Sequence, residues 1–398
     1  MASGRAIIVG GSIAGLFAGL MLRRRGWEVR VYERAREDLS GRGAGIVTHP
    51  QLRRMLDVAG FDPADDLGVS VTRRVVLGRD GEVVAGFECP QVMTSWDRLW
   101  RILRDAVPDD AYVAGAEFTG LEQHGEGVIA SLRDGGDVDG DLLVGADGIR
   151  SAVRSAVLGE VPPAYAGYVA WRGLVEEEAV DPGLFREFAF CLPPGEQMLG
   201  YPVAGRDNDL RPGHRRYNWV WYRPAAEQVE LPRLLTDAAG RRHAVSIPPP
   251  LIRPELVHEM RNAARVVLAP WFADVVQATE LSFLQPIYDL QSPRLAVGRV
   301  ALIGDAAFVA RPHVGAGVTK AAEDAWALAE ALEGDAAVPP SLARYEAARS
   351  PEGERILRRA RHLGAYMQAH LQSDEEQAAA ARHHSPEAVL AETAILTF

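Results

Sequence analysis

The first part of the chain combines short apolar runs with helical spacing. Residues Arg5 to Gly10 form an apolar run suited to a buried parallel strand, and Ile13 to Arg25 repeats apolar positions at helical intervals after a glycine turn. A second strand-like run, Glu28 to Glu33, ends in an acid. The order of strand, glycine turn, helix and strand predicts a βαβ unit with a parallel sheet.

A strand followed by a glycine-rich turn returns twice further along the chain. Asp141 to Arg154 reads as a buried strand, a Gly-Ala-Asp-Gly turn and the start of a helix. Arg299 to Ala325 reads as a buried strand with an acid at its carboxyl end, then a proline, then glycines that open a helix. We therefore expect three strand ends to converge on one ligand.

Between these segments the pattern is typical of antiparallel strands. Val71 to Glu88 has two alternating runs around the turn signal Arg79-Asp80-Gly81, which predicts a hairpin. Further strands are predicted over residues 168–174, 185–192, 198–203 and 216–222. Helices are predicted over residues 231–239, 254–277 and 338–370.

Composition narrows the choice of partners. The 398 residues suffice for two domains, and the net charge of −11 disfavours nucleic acid as a partner.

The apolar stretch Ala6 to Leu22 contains four glycines and is followed by arginines, so we interpret it neither as a signal peptide nor as a membrane span. Cys89 and Cys191 match no metal-ligand spacing, so no metal site is predicted, and free thiols are typical of the cytoplasm.

The first glycine turn has the composition of a dinucleotide-binding fingerprint. Its small residues permit a tight turn and let backbone amides approach a pyrophosphate, although Ser12 replaces the middle glycine of G-x-G-x-x-G. Glu33, 23 residues after Gly10, can accept hydrogen bonds from an adenosine ribose. Glycines kept for packing alone are the alternative, and Glu33 favours the dinucleotide. The predicted cofactor-binding residues here are Gly10, Gly11, Ser12, Ala14, Gly15, Glu33 and Arg34.

Taken in order, the three motifs resemble those of the FAD-dependent aromatic hydroxylases of the p-hydroxybenzoate hydroxylase type, over most of the chain. In that family the first motif holds the ADP part of FAD, a D-G motif lies near the pyrophosphate, and a G-D motif places its acid on the ribitol. A P-x-x-G-x-G motif starts a helix that faces the flavin ring. The resemblance assigns FAD binding also to Gly45, Asp147, Gly148, Gly304, Asp305, Gly315, Ala316, Gly317 and Val318.

We therefore predict an α/β fold in which a Rossmann-like FAD-binding domain carries an inserted, mostly antiparallel β-sheet substrate domain of α+β type. The FAD-binding domain is expected to be discontinuous, over residues 1–70, 97–164 and 291–372. The substrate domain is expected to comprise residues 71–96 and 165–290, with its sheet roofing the isoalloxazine. Residues 373–398 form a polar, alanine-rich tail of open role.

The resemblance implies a single-component monooxygenase that acts on a small, electron-rich aromatic substrate. NADH or NADPH reduces FAD, O2 adds to give a flavin C4a-hydroperoxide, and the distal oxygen is transferred to the ring. Ala164 to Gly173, Arg311 to His313, Ser40 to Pro50 and Tyr201-Pro202 resemble the 2,6-dihydroxypyridine hydroxylase branch. This branch favours a hydroxypyridine or a phenol as the substrate.

Four residues are predicted to act in catalysis. A base that deprotonates a ring hydroxyl makes the ring more nucleophilic, and histidine suits neutral pH. His49 follows the glycine-rich stretch that passes beside the flavin in relatives, and His313 lies beside Pro312 in the flavin-facing turn. Tyr201, in the predicted roof sheet, can hydrogen-bond a ring hydroxyl. A satisfied polar neighbour, a helix cap and an ordinary sheet tyrosine are the structural alternatives for His49, His313 and Tyr201.

Several other side chains have more than one predicted role. Arg42 and Arg172 are candidates for binding a substrate carboxylate or the phosphates of the nicotinamide cofactor, and solvated arginine is the alternative. Many relatives carry a flavin-contacting arginine at the position of Trp96, and Arg98 or Arg101 is the candidate replacement. The strand aromatics that could line a pocket or fill the core are Trp171, Trp219, Trp221 and Tyr222.

Three rival functions remain open at this point. A flavin-dependent halogenase shares the first motif but needs an early catalytic lysine, whereas the sole lysine, Lys320, lies in the predicted flavin-facing helix. An oxidase or reductase of the same superfold differs in the fate of the reduced flavin. A flavoprotein that binds an aromatic ring without turnover is the non-catalytic alternative. We expect a cytoplasmic enzyme without a membrane partner, and a homodimer is one open assembly state.

Overall fold

The computed structural model describes residues 4–39, 45–62, 66–334, 337–371 and 373–396, and no helix in these ranges is long and apolar enough to cross a bilayer. The strands are β1 (Arg5–Val9), β2 (Glu28–Glu33), β3 (Gly45–Val47), β4 (Val69–Leu77), β5 (Val83–Ser95), β6 (Tyr112–Ala114), β7 (Phe118–His124), β8 (Gly127–Leu132), β9 (Gly136–Gly140), β10 (Leu142–Gly145), β11 (Ala164–Glu176), β12 (Glu187–Cys191), β13 (Gln197–Val203), β14 (Arg216–Pro224), β15 (Phe283–Gln291), β16 (Ala296–Val297), β17 (Val300–Leu302) and β18 (Phe308–Val309). The helices are α1 (Ile13–Arg24), α2 (Pro50–Ala59), α3 (Trp96–Asp105), α4 (Ala152–Leu158), α5 (Glu230–Leu234), α6 (Pro254–Val267), α7 (Pro270–Ala278), α8 (Gly317–Ala331), α9 (Val338–Gly364), α10 (Asp374–His383) and α11 (Pro386–Glu392).

The first sheet contains the predicted βαβ unit. Its strand order is β16-β17-β10-β1-β2-β6, and every neighbouring pair except β16 and β17 is parallel. Helix α1 and the small antiparallel sheet β7-β8-β9 pack against it, so side chains such as Ile8, Leu143 and Val144 are fully buried. Because the central strands are parallel, the carboxyl ends of β1, β10 and β17 lie at one edge.

The second sheet is mostly antiparallel, as the sequence pattern predicts. Its strand order is β18-β15-β11-β14-β13-β12-β4-β5-β3, in which β12 and β4 are parallel neighbours. The predicted hairpin is present as β4 and β5. The prediction of an α/β fold with a second, largely antiparallel β-sheet region is confirmed.

Two predicted helices differ in the structure. Over residues 231–239, α5 ends at Leu234, because the carboxylate of Asp237 accepts the amides of Ala239 and Arg241 and closes a turn. The helix predicted over residues 254–277 is divided into α6 and α7. The division lies before Pro270, which begins α7 and has no amide with which to continue α6.

The predicted domain limits remain a prediction, and strand pairing crosses two of them. Strands β3 and β18 come from segments assigned to the first domain, yet they pair with β5 and β15 in the second sheet. The predicted tail, residues 373–398, folds where the structure describes it. Helix α10 packs on α9, and α11 packs on β4 and β5.

A buried acid joins the turn after β17 to the helices behind it. Asp324 on α8 is fully buried, and its Oδ1 accepts a hydrogen bond from Nε of Arg349 on α9 at 2.7 Å. Its Oδ2 accepts the amide of Gly304 at 3.0 Å. Asp324 therefore fixes the turn that carries Asp305.

We predict that Asp324→Ala lowers the free energy of unfolding by about 3 kcal/mol, because it leaves the buried Arg349 guanidinium without its main counter-ion. Urea denaturation measures this loss. Glu323→Gln is the matched control, since Glu323 contacts the same guanidinium at 3.5 Å from a partly exposed position. Its cost should stay below about 1 kcal/mol, and an equal cost for both variants would contradict the assignment.

Candidate active site

A cavity of about 790 Å³ lies between the carboxyl edge of the first sheet and one face of the second. The turns after β1, β2 and β10 and the start of α8 form one wall, and the second sheet forms the other. Most of the predicted site residues line it: Gly10, Ser12, Ala14, Glu33, Arg34, Gly45, Asp147, Gly148, Tyr201, Asp305, Pro312, His313, Gly315, Gly317 and Val318. The predicted residues that do not line it are Gly11, Gly15, His49, Gly304 and Ala316.

The turn after β1 is built from glycines because its backbone touches neighbouring backbone. Gly10 has a φ of +112°, and a Cβ at this position would lie 2.4 Å from the carbonyl oxygen of Ala146. A Cβ at Gly15 would lie 1.9 Å from the carbonyl oxygen of Gly10. Gly15 does not line the cavity itself. Its lack of a side chain lets α1 approach the turn after β1 closely enough to place Gly10 and Ser12 on the cavity.

Glu33 holds this turn from the end of β2. Its Oε2 accepts the amide of Gly11 at 2.8 Å, and its Oε1 accepts the amide of Ala35 at 2.9 Å. The side chain is buried but reaches the cavity. Because a carboxylate can accept about four hydrogen bonds, Glu33 retains capacity for a ligand hydroxyl.

Asp147 is directed largely toward its own segment. Its Oδ1 accepts the hydroxyl of Ser151, and its Oδ2 accepts the amides of Ala152 and Val153. The two amides belong to the first turn of α4, so Asp147 satisfies them in the way that a helix cap does. Burial raises the pKa of this carboxyl. Asp147 thus positions the turn at Gly148, whose φ of +80° suits glycine.

Asp305 and Lys320 form an ion pair beside the cavity. The Asp305 side chain is 51% exposed, whereas that of Lys320 is 1% exposed, and Nζ lies 3.0 Å from Oδ1. Nζ also lies 4.5 Å from the centre of the Phe308 ring. The sole lysine therefore orients Asp305, in contrast to the free catalytic lysine that a halogenase requires.

The start of α8 presents backbone amides to the cavity. Gly315 has a φ of +64° and closes the short 3-10 turn Pro312–Val314. Helix α8 begins at Gly317, and no side chain in the described part of the protein caps its first amides. A Cβ at Gly317 would have no neighbour within 4 Å. Unpaired amides before open space can hold a ligand's partial negative charge.

His49 is not among the residues that line the cavity, and its role as the base stays a prediction. Its Nε2 lies 3.1 Å from the carbonyl oxygen of Ala394, and its Nδ1 lies 3.4 Å from Oγ1 of Thr319. Because a carbonyl only accepts, Nε2 carries the proton. Burial lowers the pKa of His49 to about 4. The neutral ring instead joins α8 to the end of the chain.

His313 lines the cavity but is 2% exposed. Its Nε2 lies 2.7 Å from the hydroxyl of Tyr168, and its Nδ1 has no partner in the described ranges. Burial and the nearby Arg311 lower the pKa of His313 to about 3. His313 is therefore neutral near pH 7 and is suited to hydrogen bonding more than to proton abstraction.

The second sheet presents alternate side chains to the cavity. Tyr201 on β13 and Tyr222 on β14 face it, and each is 4% exposed. Strand residues alternate between faces, so the neighbours of Tyr222 point away from the cavity. The three tryptophan candidates pack in the core behind the sheet: Trp171, Trp219 and Trp221.

Arg98 and Arg101, the predicted replacements for the missing flavin-contacting arginine, contact other parts of the protein. Arg98 donates hydrogen bonds to the carbonyls of Asp66 and Asn208, and Arg101 contacts Asp97. Trp96 itself lines the cavity. Of the two predicted anion-binding arginines, Arg172 lines the cavity, and Arg42 lies outside the described residues.

The C-terminal segment supplies cavity residues that the sequence analysis missed. Thr393 and Ala394 line the cavity, and the amide of Ala394 donates to the carbonyl oxygen of His313 at 2.7 Å. The fully buried guanidinium of Arg74 on β4 holds this segment. Its Nη1 donates to the carbonyl oxygens of Leu390 at 2.9 Å and Thr393 at 2.6 Å. The alanine-rich composition of the tail gave no signal for these contacts.

Comparison with known proteins identifies the family. A model of the FAD binding domain matches residues 4–171 and 277–360, and a model described as FAD binding domain-like matches residues 165–289. The 2,6-dihydroxypyridine 3-monooxygenase of Paenarthrobacter nicotinovorans is 34% identical over 92% of this chain and 91% of its own length. This chain belongs to the FAD-dependent aromatic hydroxylases. The resemblance inferred from its motifs is confirmed.

Solved structures of related hydroxylases share the whole fold. The 2,6-dihydroxypyridine-3-hydroxylase from Arthrobacter nicotinovorans superposes with a TM-score of 0.85 at 32% identity, covering 92% of this chain and 93% of that one. The Klebsiella pneumoniae protein HpxO, solved with FAD and uric acid, superposes with a TM-score of 0.77 at 25% identity. That match covers 98% of this chain and 93% of HpxO.

The cavity of this hydroxylase fits FAD. The glycine turn leaves backbone room for a pyrophosphate, and Glu33 retains acceptors for a ribose. The open start of α8 suits the edge of a flavin ring that becomes negatively charged on reduction. The volume lies within the range of cofactor sites. The individual FAD contacts predicted from the sequence remain predictions.

We predict that Gly15→Ala loses bound FAD, because the added Cβ would collide with backbone that cannot move away independently. Gly19→Ala is the matched control on the same helix, where the nearest atom to an added Cβ is 3.4 Å away. Flavin absorbance per mole of purified, folded protein measures retention. Equal retention by both variants would contradict the close-approach argument.

The lowered pKa of His49 should make the free energy of unfolding depend on pH. Its folded pKa of about 4 lies below the ordinary value of 6.5, so the unfolded chain binds more protons and folding weakens as pH falls through this window. His49→Asn should reduce the stability loss between these pH values by about 3 kcal/mol. Urea denaturation at a series of pH values measures it. The exposed His258→Asn is the control, and an unchanged profile for His49→Asn would refute the assignment.

Proposed function

We propose that this protein is a single-component FAD-dependent monooxygenase that consumes NADH or NADPH and O2 and hydroxylates a hydroxypyridine or a phenol. One observation carries the proposal. A single cavity combines a dinucleotide cradle on one wall with a sheet face bearing Tyr201 and Tyr222 on the other. The family membership and the named relatives support an aromatic substrate.

The first-sheet wall holds the cofactor. FAD, when bound, supplies the redox chemistry by accepting a hydride and activating O2. Glu33 binds the adenosine ribose, the turn after β1 accommodates the pyrophosphate, and Asp305, oriented by Lys320, binds the ribitol. The amides at the start of α8 stabilise negative charge on the flavin ring.

The second-sheet wall binds the substrate ring and keeps water out. Burial raises the pKa of Tyr201 above its usual range and raises that of Tyr222 to about 12, so both hydroxyls stay protonated at neutral pH. They can donate hydrogen bonds to an oxygen on the ring. His313 closes the cavity near the start of α8, and the ring of Tyr222 packs against it with 4.6 Å between ring centres.

We also propose a cellular location and an oligomeric state for the protein. A cytoplasmic location is supported by the free thiols of Cys89 and Cys191. A homodimer is a further prediction that size measurements in solution would test.

The decisive experiment is a panel of hydroxypyridines and phenols scored for stimulated NADH and NADPH oxidation and for products heavier by one oxygen. We expect at least one ring to stimulate oxidation and to gain oxygen, because the walls proposed to bind the ring and the flavin face the same cavity. Flavin reduction by an amine or a hydroxy acid would favour the oxidase alternative instead. Ring binding without NAD(P)H loss would favour the non-catalytic flavoprotein.

A further inference from the structure

The terminal segment, residues 390–394, lies between the two walls of the cavity. Its last two residues, Thr393 and Ala394, line the cavity and are 5% and 3% exposed. On one side, Ala394 packs in the hydrophobic cluster of the second sheet. On the other side, its Cβ lies 3.0 Å from the place that a Cβ on Gly315 would take, just before α8. The segment therefore forms part of the edge of the cavity where the two walls meet.

The backbone of Ala394 has an uncommon conformation. Its φ is +52°, in the left-handed region that is unfavourable for a residue with a Cβ. Its amide donates to the carbonyl oxygen of His313 at 2.7 Å, and its carbonyl oxygen lies 3.1 Å from Nε2 of His49. Such a conformation persists where the surroundings fix it, and it is concentrated at functional sites. Both polar backbone groups of Ala394 thus attach the segment to the residues that precede α2 and α8.

Arg74 on β4 fixes the same segment from the second sheet. Its Nη1 donates to the carbonyl oxygens of Leu390 and Thr393, and its Nε and Nη2 donate to Oε1 of Gln91. These acceptors are all neutral oxygens. A buried guanidinium requires hydrogen bonds for its donors, and here the terminal segment supplies two of them. Arg74 and the segment therefore stabilise each other's position.

The helix that precedes the segment is held as well. Glu392, the last residue of α11, forms an ion pair with Arg359 on α9 at 3.4 Å and contacts His383 on α10. The terminal segment is therefore attached to α9, α10 and β4. It is a fixed part of the cavity edge.

We propose that the terminal segment is a third wall of the active site, which shields the flavin and the substrate ring from solvent, and that Arg74 is the positioning residue that holds this wall. The inference rests on the proposed function and deepens it. Shielding matters because an open site allows the oxygen to leave without reacting with the ring. NAD(P)H, a proton and O2 then give NAD(P)+ and hydrogen peroxide.

The test compares two substitutions of Ala394 in the FAD-loaded enzyme. Ala394→Pro removes the amide hydrogen bond to His313 and cannot adopt a positive φ, whereas Ala394→Gly keeps both the amide and the conformation. Thr393 has a ψ of 132°, which suits the residue before a proline, so the change is confined to residues beyond α11. Quenching of flavin fluorescence by iodide and by uncharged acrylamide measures the access of solvent to the flavin.

Substitutions of Arg74 form the second arm of the test. Arg74→Met removes the donors but keeps an unbranched side chain, and Arg74→Lys keeps a charge and a donor. Arg73→Met is the matched control, because Arg73 is the neighbouring arginine on β4 and pairs with Glu187 outside the cavity.

We expect the quenching constants of both quenchers to rise several-fold in Ala394→Pro and in Arg74→Met, and to rise less in Arg74→Lys. They should stay at the wild-type value in Ala394→Gly and in Arg73→Met. A merely structural role of Arg74 would lower Tm without changing the quenching of the folded protein. With a ring that stimulates NAD(P)H oxidation, the share of that oxidation that yields hydrogen peroxide should rise in the same two variants.

Two results would overturn the inference. Unchanged quenching in folded Ala394→Pro would show that the segment does not shield the flavin. Loss of FAD from that folded variant would make the segment part of the wall that binds the flavin. If Arg74→Met does not fold, Ala394→Pro decides the question alone, since its change lies beyond the last helix.

Failure of the proposed function is distinguishable from failure of this inference. In the first case no hydroxypyridine or phenol would stimulate NAD(P)H oxidation by the wild type. The quenching measurement requires no substrate, so its outcome tests the shielding by itself.

Discussion

The site depends on backbone approaching backbone at the end of β1. Gly10 lies against Ala146, and Gly15 lies against Gly10, at distances that leave no room for a Cβ. This approach brings the ends of β1 and β10 together, and Asp324 attaches the turn after β17 to the same structure. A continuous concave wall results from segments that are far apart in the sequence. Every cofactor contact proposed for this hydroxylase requires that wall.

The sequence predicted this wall well because local chemistry determines it. A turn that needs positive φ or close approach requires glycine, and an acid such as Glu33 at a strand end has few structural alternatives. The strands of the second sheet were also predictable, because hydrophobic and polar positions alternate along them. Which aromatic side chains face the cavity depends on strand register, so Tyr222 and the core residue Trp221 could not be separated in advance.

Contacts between residues that are far apart in the sequence could not be predicted from the pattern of hydrophobic and polar positions. The family resemblance places the segment before His49 beside the flavin, yet the ring of His49 contacts the carbonyl oxygen of Ala394, 345 residues away. The tail appeared featureless because alanine-rich helices carry little positional information, whereas Arg74 and two backbone carbonyls fix its place. The consequence is chemical as well as structural. The cavity contains a deeply buried histidine, His313, whose lowered pKa makes it a weak base for a ring hydroxyl.

A crystal structure of the complex with FAD tests the central claim most directly. We predict that the adenosine ribose lies on the carboxylate of Glu33 and that the isoalloxazine lies between the start of α8 and the sheet face of Tyr201 and Tyr222. Density for FAD elsewhere, or a flavin ring directed away from that sheet, would contradict it.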